Sequence, residues 1–472
     1  MNGPFDCDVL VAGGGPAGCT VATLLARAGR SVVLLEKDHH PRFHIGESLL
    51  PANVPLFEDL GVREAVERIG IVKLGAEFVS PQHDHRSVVE FSEAWDKSMP
   101  LAWQVRRSQL DEILFKRAGE VGVQARQGWA VSQVDFDEEG VTVAACQRAA
   151  AGAPMQGADP ATSAGPVKPV PGTPEVPASP VQRLRARYFV DATGRDTLLA
   201  TRFGIKRRHK KHNSAALFGH FRQARRLEGR MEGSITIFWF EHGWMWFIPL
   251  ADGSTSVGAV CWPHYLKSRD KPLKEFFLET VAMAPPLAER LREAELIDDA
   301  VYATGNYAYA SERASGARYA AVGDAYAFVD PVFSSGVYLA MASAYAAFPL
   351  VQRTLDAGPA AAAAERRRFE AHMRRGPRIF TWFIVRMTNP AIRELFMYPR
   401  NVLRAKEAVL GVLAGDIFGR TPLWRGLLAF KFFYYATTLA MLPRSFKAWW
   451  TRRSLIRDVG EVKGENIMVP SR

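Results

Sequence analysis

The sequence predicts a mixed α/β protein: a domain built on a parallel sheet, an inserted antiparallel-sheet lobe and a helical C-terminal region. Three observations predict it. A strand–glycine turn–helix–strand unit occupies the first forty residues. A second strand–glycine–helix pattern returns at 315–350. Between them, 215–263 is rich in aromatic and β-branched residues, as an antiparallel sheet requires.

Residues 7–12 (Cys-Asp-Val-Leu-Val-Ala) read as a buried strand. A glycine turn leads into an Ala/Leu-rich helix through Ala28, Gly29 closes it, and Ser31–Leu35 forms the next apolar strand. Residues 107–122 read as a helix with Leu110, Ile113, Leu114 and Ala118 on one stripe, and strand-like alternation follows near 130–146 and at 183–190. Residues 149–181 are Ala, Pro, Gly and Ser almost without aromatics. They cannot bury enough apolar area to offset their ordering cost, so a disordered surface insertion between neighbouring strands is expected. The expected division assigns 1–75, 105–205 and 305–360 to the first domain, 76–104 and 206–304 to the lobe, and 361–472 to the helical region. Within that last region 427–442 is strongly apolar but contains Lys431. Its sixteen residues fall short of the roughly 20 that span a bilayer, leaving packing on the body or contact with a membrane surface.

Of 472 residues, 48% are hydrophobic and 23% charged, which places the chain among soluble globular proteins. A net charge of +11 favours acidic partners. No nucleic-acid module accompanies that charge, so an acidic protein or a membrane surface is the expected partner. Cys7, Cys19, Cys146 and Cys261 form no C-x-x-C pair and no ligand spacing with His. They supply no metal site and no disulfide framework, and a reduced, cytoplasmic setting fits. The N-terminus reads straight into a strand rather than as a signal peptide.

Gly13-Gly14-Gly15-Pro16-Ala17-Gly18 supplies G-x-G-x-x-G between a strand and a helix. Gly13 permits the tight turn, Gly15 lets the backbone approach a pyrophosphate, and Gly18 allows close helix–strand packing. Glu36 ends the second strand 18 residues after Gly18, where a carboxylate can accept from ribose hydroxyls. Two later strands, Tyr188–Arg195 and Ala320–Ala325, also end in small-residue turns, and Gly323-Asp324 places a carboxylate beside a second part of a long dinucleotide. A nicotinamide dehydrogenase does not need those later contacts.

The combination resembles the flavoprotein monooxygenase superfamily, with its Rossmann-like FAD domain of the glutathione-reductase type. The resemblance implies that Asp324, and Arg107 four residues before Asp111, contact FAD. Three further stretches narrow it: Trp244–Pro249 matches W-x-W-x-I-P, Phe328–Gly336 matches F-x-x-P-x-x-S-x-G, and Phe43–Pro51 contains G-E-S-x-x-P. Together these look like the flavin-dependent halogenases, over about 5–350 apart from the insertion. The resemblance implies cofactor contacts at Ala17, Lys37, Ser48 and Gly336. It also implies a halide nest at the N–H groups of Ser335 and Gly336, and Trp244 and Trp246 as a partition between flavin and substrate. Lys73, in the apolar setting of Val72 and Leu74, sits where the family keeps its catalytic lysine.

The implied chemistry uses FADH2 from a separate reductase, oxygen and chloride or bromide. The resulting electrophilic halogen travels to Lys73, which holds it by hydrogen bonding or as a haloamine until an electron-rich aromatic ring takes it up. Halogenases of free tryptophan place a Glu before the Ser of F-x-x-P-x-x-S-x-G; this chain has Phe333. It therefore looks more like the branch acting on phenols, pyrroles or polyketide-type aromatics, often carrier-bound. Arg207-Arg208-His209-Lys210-Lys211-His212 and the basic C-terminal third are candidate docking surfaces for an acidic carrier. The competing readings are an aromatic hydroxylase of the same fold, a prenyl-chain reductase with membrane contact, and a flavin-binding scaffold without turnover.

Overall fold

The computed structural model describes residues 4–148, 180–209, 214–305, 308–419 and 421–457; the expected insertion lies outside them apart from Pro180 and Val181, as do Lys210, Lys211 and His212. The N-terminal unit forms as its pattern requires: β1 (Cys7–Ala12), helix α1 (Pro16–Arg27) and β2 (Val32–Glu36), followed by β3 (Gly70–Lys73), β4 (Gly75–Val79), β5 (Arg86–Glu90), β6 (Ala102–Val105) and helix α2 (Arg107–Glu120). Then come β7 (Gln124–Gln127), β8 (Trp129–Phe136), β9 (Val141–Gln147), β10 (Gln182–Asp191), β11 (Lys206–Arg208), β12 (Ala215–Arg222), β13 (Ile235–Phe240), β14 (Gly243–Pro249) and β15 (Thr255–Cys261). The short strands β16 (Glu295–Leu296), β17 (Tyr302–Gly305), β18 (Tyr309–Ser311) and β19 (Tyr319–Ala321) follow.

The first sheet runs β7-β2-β1-β10-β9-β8, with β19 also paired to β10. β1 lies parallel to both β2 (Val9 opposite Val32) and β10 (Val9 opposite Tyr188). Val9, Leu10 and Val11 are fully buried, as a parallel strand covered on both faces must be. α1 packs on one face with helix α3 (Gly336–Ala361). The carboxyl ends of β1, β10 and β19 therefore meet at one edge, where their glycine turns lie.

The second sheet runs β16-β12-β15-β14-β13-β4-β5, with β17 on β12. It is antiparallel through β12–β15, as the aromatic stretch predicts. Its join to β4 is parallel, with Ile235 opposite Ala76, a pairing that the separation of the two strands in sequence conceals. Its apolar face shares one core with the C-terminal helices: Trp239, Trp244 and Trp246 cluster with Phe333, Phe380 and Phe430. Those helices are α4 (Ala363–Ile384), α5 (Leu423–Ala440) and α6 (Leu442–Arg457), with shorter ones between.

Candidate active site and cofactor cleft

The three motif glycines do different work. Gly13 has φ +108, and a Cβ there would lie 2.2 Å from the Ala192 carbonyl oxygen. A Cβ on Gly18 would lie 1.9 Å from the Gly13 carbonyl oxygen. Both are held to glycine by the chain itself. Gly15 has φ −83, and its Cβ would meet nothing nearer than the Arg42 Nη2 at 3.7 Å. The chain tolerates a side chain at Gly15, so the space above it is a cradle. Helix α1 starts there with no side-chain cap on its first N–H groups, and Ala17 is buried in its first turn. Uncapped N–H groups, helix dipole and an adjacent guanidinium form a donor set that fits a pyrophosphate.

Glu36 and Arg42 shape this edge. The Gly14 N–H donates to Glu36 Oε2 at 2.7 Å, and the Asp38 N–H to Oε1 at 2.9 Å. Arg42 pairs with Glu36 and with Asp111, each at 3.3 Å. Arg107 donates to both Asp111 oxygens, at 2.9 and 3.1 Å, and to the Ile45 carbonyl at 3.1 Å. Burial pushes Asp111 up, but Arg107 and Arg42 outweigh it and hold the carboxyl below its ordinary value. Sequence reasoning missed Arg42. A basic residue shortly after the acidic end of β2 was its only signal. Lys37, expected at the cofactor, is turned toward Asp196 instead.

Past the carboxyl end of β19, at the same edge of the sheet, Asp324 follows Gly323 (φ +58). Burial pushes its carboxyl up to about 6, against the pull of Arg195 and Arg107. Asp324, Ser335 and Gly336 line one small cavity of about 20 Å³ with Phe328, Asp330 and Phe380. Ser334 adopts the left-handed region (φ 56), Ser335 returns to the right-handed one, and α3 begins at Gly336 without a side-chain cap. Alternating backbone handedness at a helix start turns successive N–H groups toward one point, which suits a small anion.

Lys73 is 2% exposed. Its Nζ donates to Ser48 Oγ and to the Leu49 carbonyl, both at 3.0 Å, and sits 5.3 Å from the Phe91 ring centre. Burial alone pushes its ammonium down to about 7. Ser48, expected among the cofactor contacts, is given to the lysine. Beside it Glu47 accepts from His220 Nε2, its two oxygens at 3.0 and 3.1 Å, with both residues buried. Nothing in the G-E-S segment pointed to His220, which β12 brings from far along the chain.

Trp244 and Trp246 alternate onto one face of β14, with ring centres 6.0 Å apart and 4% exposure each. Trp246 Nε1 donates to Ser256 Oγ at 3.1 Å, and Gly258 leaves room for its ring. Phe333 packs against Phe380 and Phe383, at 6.2 and 5.9 Å. The position that would hold a carboxylate is thus an aromatic pocket. The structure brings Asp324, Ser335 and Gly336 together, and joins Lys73 to Ser48. The Trp pair shares a core cluster with Leu50 and Phe333, which lie two residues along the chain from Ser48 and Ser335.

The family model for an FAD binding domain matches residues 6–153, and that for tryptophan halogenase matches 173–390. A flavin-dependent halogenase of Metacordyceps chlamydosporia is 34% identical over 74% of this chain and 65% of its own length. A 1H-pyrrole-2-carbonyl-[peptidyl-carrier protein] chlorinase of Pseudomonas fluorescens is 30% identical over 72% of this chain and 74% of its own. The solved myxobacterial chondrochloren halogenase superposes with a TM-score of 0.69 at 28% identity, over 92% of this chain and 97% of its own. The chain spans just under two thirds of the fungal relative's length. FAD is the cofactor this fold carries, and the motifs, the cleft and these likenesses agree: the chain belongs to the flavin-dependent halogenases.

Proposed function

We propose that this protein halogenates an electron-rich aromatic ring, a phenol, pyrrole or polyketide-type compound, free or tethered to an acidic carrier protein. FADH2 delivered by a separate reductase would, once bound, supply with oxygen the oxidation of chloride or bromide to hypohalous acid. The cradle at Gly13, Gly15, Ala17 and Gly18 holds the pyrophosphate, with Glu36, Arg107 and Asp324 along the rest of the dinucleotide. The N–H groups of Ser335 and Gly336 hold the halide. Residues 76–104 and 206–304 carry the substrate, and Trp244 and Trp246 keep the ring away from the flavin.

The observation that carries this reading is the buried Lys73 amine. With its pKa near 7, it is largely neutral just above neutrality and has a lone pair to offer. The nitrogen takes the halogen from hypohalous acid, giving a haloamine and water. The arene then attacks that halogen, the nitrogen–halogen bond breaks, and the ring proton returns to the amine. Ser48 Oγ and the Leu49 carbonyl hold the nitrogen in place. Phe333 speaks for a branch without a carboxylate at this point, and the carrier-dependent relative supports a tethered ring. The test is turnover with a generic flavin reductase and a panel of free and carrier-bound phenols and pyrroles. Mass spectrometry with bromide against chloride should show halide-dependent products; hydroxylated products independent of halide would mark a hydroxylase.

A further inference from the structure

Helices α5 and α6 expose an apolar face that soluble proteins bury. On α5, Trp424, Leu428, Phe432, Tyr435 and Leu439 are between 55% and 71% exposed. Their spacing of three and four residues puts them on one stripe. On α6, Leu442, Phe446 and Trp450 continue the pattern at 54–61%. The opposite side of α5 is firmly seated: Gly426 is pressed against Ala408 and Arg404, and Leu423 against Gly411. The stripe is therefore outward by construction, and it is larger than the scattered apolar residues of an ordinary surface.

Charge indicates what covers it. Leu423–Arg457 contains seven basic residues and no acidic one. Arg425, Arg444 and Lys447 are exposed beside the stripe. A second copy of this face would oppose cation to cation. Neither 149–179 nor 458–472 contains an aromatic residue or a leucine, so the chain has no segment there with the side chains to cap it. Among the described residues no helix is long and apolar enough to cross a membrane. Bulky aromatics flanked by Lys and Arg on a helix too short to span are the pattern of a helix lying in the headgroup region.

We infer that the consecutive helices α5 and α6 seat this enzyme on an anionic lipid surface, with Phe432, Leu439 and Phe446 in the acyl boundary and Arg444 and Lys447 at the headgroups. The inference is independent of the halogenation chemistry. Its test is vesicle flotation of the full-length protein. Vesicles of phosphatidylcholine with phosphatidylglycerol should carry the protein up, and phosphatidylcholine alone should carry much less. Phe432→Ser with Leu439→Ser, and separately Arg444→Glu with Lys447→Glu, should each weaken binding at least about tenfold, at about 1 kcal/mol per basic residue for the charge pair. Bound FAD and reaction with a soluble substrate should not change in either variant. Failure of the wild type to float, or flotation undiminished in both variants, overturns the inference. So does sedimentation of the wild type as a stable dimer that Phe432→Ser with Leu439→Ser converts to monomer.

Discussion

Lys73 and Ser48 meet through a 3.0 Å hydrogen bond in a place where water scarcely reaches. β3 delivers the lysine and the G-E-S segment the serine. The bond fixes the nitrogen without neutralising a carboxylate, so burial acts on the ammonium unopposed.

That arrangement predicts the pH dependence. A haloamine needs the free amine, so product formation should rise as pH passes through about 7. A lysine that only donates a hydrogen bond to hypohalous acid needs the ammonium, and its rate should fall over the same interval. Single-turnover product yield against pH, with FADH2 supplied in excess, separates the two. Lys73→Ala should keep FAD bound, and reduced flavin should still consume oxygen, while halogenated product disappears. Unchanged product in that variant removes Lys73 from the mechanism.

The same group sets a stability signature. Folded Lys73 titrates near 7 and the unfolded chain near 10.5. Between these values the unfolded state binds the extra proton, so its contribution to stability rises with pH across that window. The cost of burying the ammonium is fully present below pH 7, and each pH unit between the two titration points is worth about 1.4 kcal/mol. Lys73→Met leaves Ser48 Oγ and the Leu49 carbonyl without this donor, which costs about 1–3 kcal/mol at every pH. Relative to wild type the variant should therefore fare best at pH 6 and lose ground toward pH 10 in urea titrations. A difference independent of pH would mean that the lysine is not buried in its charged form.

Much of the cofactor cleft was legible in the sequence because its demands are local. A G-x-G-x-x-G turn needs only its own strand and helix: Gly13 has a φ of +108 and a Cβ on Gly18 would meet the Gly13 carbonyl, although the Ala192 carbonyl that also holds Gly13 to glycine comes from far along the chain. Arg42, His220 and the β4–β13 pairing were not legible, because each gains its role from a partner far along the chain. The apolar stripe on α5 was half legible. Its composition was visible, but only packing tells which apolar side chains face inward, and the helix begins at Leu423 rather than 427.

The motif glycines should separate under substitution. Gly15→Val meets only the tip of Arg42, so the protein should fold with near wild-type thermal stability and lose FAD, since the side chain fills the pyrophosphate cradle. Gly18→Val drives a Cβ into the Gly13 carbonyl and should fail to give soluble protein. A yellow, fully loaded Gly15→Val protein would refute the placement of the cofactor.

Restoring the missing carboxylate should not create a tryptophan halogenase. Phe333 is 5% exposed and packs against Phe380 and Phe383, with no basic group among its ring contacts in the described residues. Phe333→Glu either buries a charge in apolar surroundings or protonates it. The expected outcome is a loss of roughly 3–5 kcal/mol, the scale of truncating a core aromatic, with no gain of activity on free tryptophan. Phe333→Leu, which keeps the pocket apolar, should cost less and retain FAD. A Phe333→Glu protein as stable as wild type would show that this turn opens to water or to a cation in solution.

The buried pair Glu77–Arg290 offers a check on the second sheet that leaves the chemistry alone. Arg290 Nη2 donates to Glu77 Oε2 at 2.6 Å and Nη1 to Thr236 Oγ1 at 2.8 Å, while its guanidinium lies over Phe238 and Phe247. Burial lowers the Arg290 pKa, and Glu77 pulls it back up. Removing Glu77 strands the Arg290 guanidinium, whereas removing Arg290 still leaves Glu77 the half-exposed Arg86 at 3.6 Å, so Glu77→Leu should destabilise by about 3–5 kcal/mol and Arg290→Met by less. The double variant strands neither charge and should recover much of that loss. A double variant no better than the sum of the singles would mean that the two charges do not share one desolvated site, and that β4 is held to β13 by its backbone ladder and apolar packing alone.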